Sequence, residues 1–144
     1  MDMYQVLYYS KGGHTKKVAE AIAAELGTEA ADIKQATLDK TAEVVFLGSG
    51  CYGKKPGPEM MKFIETAGFS GRKVALFGTS AGGVGSETEE MAAALRNKGA
   101  TVVGRYYCQG QFMLMVGRGH PNQDDLEKAR QFARETKNKA GRKG

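Results

Sequence analysis

Cysteine, histidine and tryptophan are scarce or missing in this chain, and their scarcity narrows the class of protein. Among its 144 residues two are cysteine, two are histidine and none is tryptophan. Cys51 and Cys108 are too few for a disulfide framework and lack the spacing of metal ligands. His14 and His120 stand apart from any pair of carboxylates. We therefore expect no disulfide scaffold and no metal site, and we expect a reducing, cytoplasmic compartment.

Long apolar runs are also missing. No stretch approaches the roughly 20 residues that a membrane-spanning helix requires. The start leads directly into an apolar strand pattern and lacks the basic and apolar regions of a signal peptide. Hydrophobic residues nevertheless make up 41% of the chain, which is enough for a buried core, and the length fits one domain. We expect a single domain over residues 1–138.

Positive charge is in excess, but most of the excess lies at one end. The formal net charge is +5, and four of the basic residues, Lys137, Lys139, Arg142 and Lys143, lie in the last eight positions. The rest of the chain therefore carries +1. A short basic end is typical of a solvated tail, whereas nucleic-acid binding requires a patch on folded structure. We predict a basic tail over 139–144, with no nucleic-acid and no membrane partner.

Strand and helix patterns alternate along the chain. The hydrophobic periodicity and the turn residues predict strands and helices in the order β-α-β-β-α-β-α-β-α. The predicted strands are 6–9, 28–33, 43–48, 73–78 and 101–107, and the predicted helices are 16–26, 59–67, 86–99 and 123–137. A vestigial helix is possible near 34–42. A capping box, Ser86 with Glu89, is predicted to begin the third helix. Such alternation predicts a three-layer α/β/α fold with a five-stranded parallel sheet.

Three loops rich in glycine and serine follow strand ends, at 10–15, 49–58 and 79–86. Ligands of parallel sheets bind beyond the carboxyl ends of the strands, so we expect these loops to converge on one crevice. In the first loop, Gly12 and Gly13 allow close approach of the backbone, while Ser10 and Thr15 offer hydroxyl groups. A helix N-terminus at this position suits a phosphate. The alternative is that the two glycines serve only a tight turn.

Several other activities on α/β folds conflict with the residues present. A phosphoacceptor receiver domain needs acidic residues where Ser10 and Ser49 stand, and a low-molecular-weight tyrosine phosphatase needs cysteine and arginine in the first loop. The dinucleotide fingerprint is absent from the first turn. The segment 48–54 resembles the start of a P-loop, but Lys55 stands where serine or threonine must bind magnesium. A nucleophilic role for Cys51 with His14 is the alternative to a small buried thiol.

The first loop, Ser10-Lys11-Gly12-Gly13-His14-Thr15, resembles the phosphate loop of flavodoxins. The segments 48–56 and 119–133 are similar to the loop after the third strand and the last helix of short flavodoxin-like proteins. The resemblance covers essentially the whole chain. It implies strand order 2-1-3-4-5 and FMN bound at the strand ends. The chain departs from the family at Gly12, where threonine is usual, and in loop 79–86, which lacks an aromatic residue.

The resemblance also implies a set of cofactor-binding residues. The FMN phosphate would be held by Ser10, Lys11, Gly12, Gly13, His14 and Thr15. The flavin ring would lie against Ser49, Gly50, Cys51, Tyr52 and Gly53, with Tyr52 stacking on it; a surface tyrosine is the alternative for Tyr52. The opposite edge would be lined by Thr79, Ser80, Gly82 and Gly83. Neither a metal ligand nor a catalytic side chain is implied.

Three functions are compatible with this resemblance. The first is an electron-carrying flavodoxin that works with redox partner proteins, as a monomer or weak dimer. The second is an FMN-dependent NAD(P)H or quinone reductase, whose second pocket would be walled by Gln111 to Arg118. The third is an interaction module that keeps the fold without flavin. For the first two, Lys54 and Lys55 near the stacking candidate predict a less negative semiquinone/hydroquinone potential of bound FMN than acidic flavodoxins show.

Overall fold

A parallel sheet lies between two layers of helices. The computed structural model describes residues 3–52, 55–80, 85–109 and 121–141. The strands in these ranges are β1 (Tyr4–Tyr9), β2 (Ala30–Asp32), β3 (Val44–Tyr52), β4 (Lys55–Pro56), β5 (Lys73–Ser80) and β6 (Thr101–Gln109). The helices are α1 (His14–Leu26), α2 (Pro58–Thr66), α3 (Ser86–Asn97) and α4 (Gln123–Gly141).

The sheet has the predicted topology. Its five long strands are parallel in the order β2-β1-β3-β5-β6, which is 2-1-3-4-5 when the two-residue β4 is left out. The strand β4 turns back on the end of β3 in antiparallel pairing, with Tyr52 opposite Lys55. The order reverses between β1 and β3, so the carboxyl ends of these strands border the crevice in which such sheets bind ligands.

Each face of the sheet has its own core, because side chains alternate along the strands. One core packs under α2 and α3, and the other packs under α1 and α4. The first includes Leu7, Val45, Leu47, Met60, Ile64, Leu76, Met91 and Leu95. The second includes Val6, Val18, Ile22, Phe46, Phe77, Ala129 and Ala133. The central strands β3 and β5 are buried on both faces, as their continuous apolar runs predicted.

Several element boundaries differ from the prediction. The strand β3 continues to Tyr52 because its last two residues pair with β4, and β5 continues to Ser80 because its last two residues pair with β6. Residues 34–42 contain no helix; this segment is held instead by side-chain bonds such as Gln5 Oε1 with the Asp39 N–H at 2.7 Å. The helix α4 runs to Gly141, so the predicted boundary at 138 falls inside it.

The predicted capping box at Ser86 is wrong. Gly85, with φ of +80°, is the residue before the first turn of α3, and no side chain caps that turn. The Thr88 hydroxyl donates to the Gly85 carbonyl at 2.8 Å instead. A reciprocal pair of bonds does begin α4: the Asn122 N–H donates to Asp125 at 2.8 Å, and the Asp125 N–H donates to Asn122 at 2.9 Å.

Candidate functional site

The turn from β1 into α1 is closed by a local hydrogen bond. The Gly13 N–H donates to the Ser10 Oγ at 2.9 Å, and Gly13 adopts a φ of +86°, which a side chain would strain. The Gly13 carbonyl then accepts the Lys17 N–H at 3.2 Å, the first bond of the helix. The Ser10 hydroxyl hydrogen remains able to donate outward.

The first turn of α1 is suited to an anion. The N–H groups of His14, Thr15 and Lys16 precede the first intrahelical bond and therefore have no acceptor within the helix. No acidic residue stands in this turn. The buried Nδ1 of His14 also has no hydrogen-bond partner among the described residues. Backbone donors, a helix dipole and an unused ring nitrogen therefore lie in one loop.

Two threonines join the loop to the far side of the site. The hydroxyls of Thr15 and Thr79 are hydrogen bonded at 2.8 Å, and both side chains are buried. Gly50 is paired with Thr79 in the sheet, and a Cβ on Gly50 would lie 3.4 Å from the Thr15 hydroxyl. The ends of β3 and β5 are therefore fastened to the start of α1 by groups far apart in the sequence.

The ring of Tyr52 leans over the first loop. Its hydroxyl accepts the Lys11 N–H at 3.1 Å, and the Lys11 ammonium lies 4.9 Å from the ring centroid. The edge of its ring meets Tyr9 with centroids 6.1 Å apart. A Cβ on Gly50 would approach the Tyr52 hydroxyl to 2.6 Å, so glycine is needed for this position of the ring. Burial raises the pKa of Tyr52, which stays neutral.

Ser49 faces the interior rather than the loops. Its fully buried hydroxyl donates to the Gly50 carbonyl at 2.8 Å and accepts the Gly57 N–H at 3.0 Å. Gly57 precedes α2 and lies against the ring of Tyr9, where a Cβ would overlap that ring. Ser49 therefore holds the loop after β3 against the start of α2.

The structure brings most of the predicted site residues together at one edge of the sheet. The residues in this group are Ser10, Lys11, Gly12, Gly13, His14, Thr15, Gly50, Tyr52 and Thr79. Cys51, half-buried, and Ser80, buried, lie at the same strand ends. The predicted residues Gly53, Gly82 and Gly83, and the segment 111–118, lie outside the described residues.

Two residues near the site were missed by sequence reasoning. Glu87 is fully buried under the end of β5, and a Cβ on Gly78 would overlap its carboxylate. Burial, and then a hydrogen bond with Glu59, raise the pKa of Tyr9 to about 12. Glu87 lies next to the predicted cap residue Ser86, and nothing in the sequence pattern marks it as buried.

Two features are absent from the described part of the chain. No group of three or more histidine, cysteine or acidic side chains is arranged to hold a metal. None of the helices in the same ranges is long and apolar enough to cross a membrane.

Comparison with known proteins agrees with this arrangement. The sequence profile of the flavodoxin domain matches residues 5–118. An uncharacterized protein of Methanocaldococcus jannaschii is 29% identical over 132 residues, covering 84% of this chain and 88% of that protein. An archaeal flavodoxin structure is 25% identical with a TM-score of 0.76, covering 96% of this chain and 98% of the other.

A more distant structure shares the fold. The two-electron reduced flavodoxin of Megasphaera elsdenii is 22% identical with a TM-score of 0.65, covering 91% of this chain and 98% of that one. The strand order, the turn at the end of β1 and the profile match over most of the chain lead to one conclusion. This chain belongs to the flavodoxin domain family.

Proposed function

We propose that this protein binds FMN and carries electrons between redox partner proteins. The observation that carries the proposal is the first turn of α1, where backbone N–H groups and the Ser10 hydroxyl hydrogen lack acceptors within the turn. The His14 Nδ1 beside them has no hydrogen-bond partner among the described residues. When bound, FMN supplies the one- and two-electron chemistry, and the protein supplies binding and electrostatics.

Each element of the site has a role in this proposal. The N–H groups of the loop would bind the phosphate, with Ser10 and His14 as further donors. Thr15 orients the loop through its bond to Thr79. Tyr52 would cover one face of the ring after its hydroxyl releases the Lys11 N–H. Gly50, which has no side chain, lets the Tyr52 hydroxyl and the Thr15 hydroxyl lie close to its backbone.

Titration with FMN and with riboflavin tests the proposal. Flavin fluorescence should be quenched at one FMN per chain, and riboflavin should bind at least roughly a hundredfold more weakly because it lacks the phosphate. The absorbance of the protein after FMN loading and gel filtration should show retained flavin. Equal affinity for both compounds would contradict a phosphate site at α1, and no binding of either would refute the flavin proposal.

A self-sufficient reductase is the alternative within the same proposal. The second pocket of such a reductase is predicted at 111–118, which lies outside the described residues. No described contact therefore favours a reductase over an electron carrier. Steady-state NADPH oxidation by the FMN-loaded protein separates the two. A carrier needs a partner reductase, and sustained turnover without one would favour the reductase.

We also propose a cytoplasmic location. Both cysteines are present as thiols and not as a disulfide. Thiols persist in reducing compartments. Fractionation of cells that express the tagged protein at its native level tests this location.

A further inference from the structure

Glu87 is a buried acid at the edge of the proposed flavin site. It occupies the second position of α3, and none of its surface is exposed to solvent. Its carboxylate lies over Gly78, where a Cβ would overlap it, at the end of β5. Neither oxygen makes a hydrogen bond of ordinary geometry with another described residue. A charged carboxylate without partners is very costly in such surroundings.

The groups around Glu87 do not compensate for a charge. From β3, the thiol of Cys51 lies close enough to stabilise the carboxylate weakly, as does the N–H of Glu87 itself. From β6, Arg105 is attracted more directly to Glu89, at 3.9 Å. Cys108, also on β6, stays neutral because burial raises its pKa to about 12. Burial outweighs these attractions and raises the pKa of Glu87.

We propose that Glu87 in the folded protein keeps its proton above the pH at which an exposed glutamate ionises, and that it is a positioning residue that sets the charge behind the ends of β3 and β5. The neutral acid lies between the Cys51 end of β3 and the first turn of α3. These elements flank the proposed ring site, so the functional part of the inference rests on FMN binding there. A carboxylate at this point would oppose negative charge on the reduced cofactor, whereas the neutral acid does not.

The proton balance follows from the electrostatics. At a pH where Glu87 is protonated, an electron from a redox partner enters the site with no change at this residue. At higher pH, where Glu87 has ionised, the arriving electron is accompanied by a proton taken from solvent onto a Glu87 oxygen. The reduction potential of the bound flavin should therefore fall more steeply with pH than the flavin alone requires.

The first experiment needs no flavin and compares the stability of wild type with Glu87→Gln from pH 5 to pH 9. The folded pKa of Glu87 lies above its unfolded value, so its contribution is complete below the unfolded pKa and is lost as pH rises toward the folded pKa. Between these two pKa values, the ratio of the variant's folding constant to that of wild type should rise by up to tenfold per pH unit. Glu90→Gln, at an exposed position of the same helix, should follow wild type.

The outcomes are distinct. A ratio between variant and wild type that is independent of pH, or that falls as pH rises, overturns the proposal. If Glu87→Gln does not fold, carbon NMR of wild type with labelled glutamate decides, since one carboxyl should titrate above all the others; ordinary titration of every glutamate overturns it.

The second experiment uses the FMN-loaded protein. The reduction potential of FMN bound to wild type should fall with rising pH more steeply than the flavin alone requires. This extra decrease should be absent in Glu87→Gln and present in Glu90→Gln. Parallel curves for all three proteins would refute the coupling to reduction. Failure to bind FMN would refute the proposed function, while the stability comparison would still decide the protonation state of Glu87.

Discussion

The end of β1 and the ends of β3 and β5 border the same crevice, yet they are built in different ways. At the end of β1, Ser10 and Gly13 are bonded three residues apart, and the helix follows at once. At the other ends, the bonds reach further along the chain: Thr15 and Thr79 are 64 residues apart, and Ser49 and Gly57 are 8 residues apart. The first region is a local motif that a sequence displays. The second exists only after the sheet has formed.

The difference extends to charge. The loop after β1 has unused hydrogen-bond donors, whereas the region below β5 holds the acid Glu87, which lacks a hydrogen-bond partner among the described residues. Free N–H donors at a helix start favour binding of an anion, whereas burial of an acid favours its neutral form. Substitutions that affect one region and spare the other test this division.

The largest effect is expected from Gly78→Ala. The new Cβ would overlap the carboxylate of Glu87 in a closed interior, so the free energy of unfolding should fall by about 1 to 3 kcal/mol. Adding Glu87→Ala should restore at least about 1 kcal/mol, because the obstructing group is gone. Denaturant unfolding of both single variants and the double variant measures this coupling. If the changes in the free energy of unfolding of the two single variants simply add in the double variant, the two residues are not in contact.

Thr15→Val should affect both regions. Loss of the bond to Thr79 should lower the free energy of unfolding by about 1 to 2 kcal/mol, since a buried hydroxyl loses its partner. FMN affinity should fall roughly tenfold as the loop loosens. Thr66→Val is the control, because the exposed Thr66 hydroxyl bonds only within its helix, at 2.9 Å to Lys62. Equal effects of the two changes would contradict a special role for Thr15.

Tyr52→Leu should weaken FMN binding by about three- to tenfold, the value of a lost aromatic stack. Tyr52→Phe keeps the ring and removes only the bond from the Lys11 N–H, so its affinity should stay within about threefold of wild type. Fluorescence titration of both variants measures the difference. A larger loss for phenylalanine than for leucine would assign the role of Tyr52 to its hydroxyl.

The smallest effect is expected from Lys55→Glu. Lys55 pairs with Tyr52 in the β3–β4 hairpin and is exposed. Reversing its charge should lower the reduction potential of bound FMN by an amount on the order of tens of millivolts, and added salt should diminish the change. Lys62→Glu, an exposed position on α2, serves as the control in potentiometry. A shift of equal size at both positions would indicate a general charge effect.

The order of the elements and the loop after β1 follow from local patterns along the chain. The apolar runs of β3 and β5 and the periodicity of α1 are local patterns, and they predicted a parallel sheet with the observed order once the family resemblance was added. The cap at Ser86 was wrong because Gly85 takes the left-handed conformation in its place. Residue type alone does not show whether Gly85 or Ser86 precedes the first turn of α3.

The burial of polar groups and the identity of their partners depend on the assembled fold. The resemblance placed Ser49 against the flavin ring, and the structure shows its hydroxyl bonded to the Gly57 N–H. The burial of Glu87 under β5 was not predicted. Strand alternation fixes the face on which a side chain lies, but its contacts depend on residues that arrive from distant parts of the chain. Hydrogen-bond partners and burial at the strand ends are therefore properties of the assembled sheet.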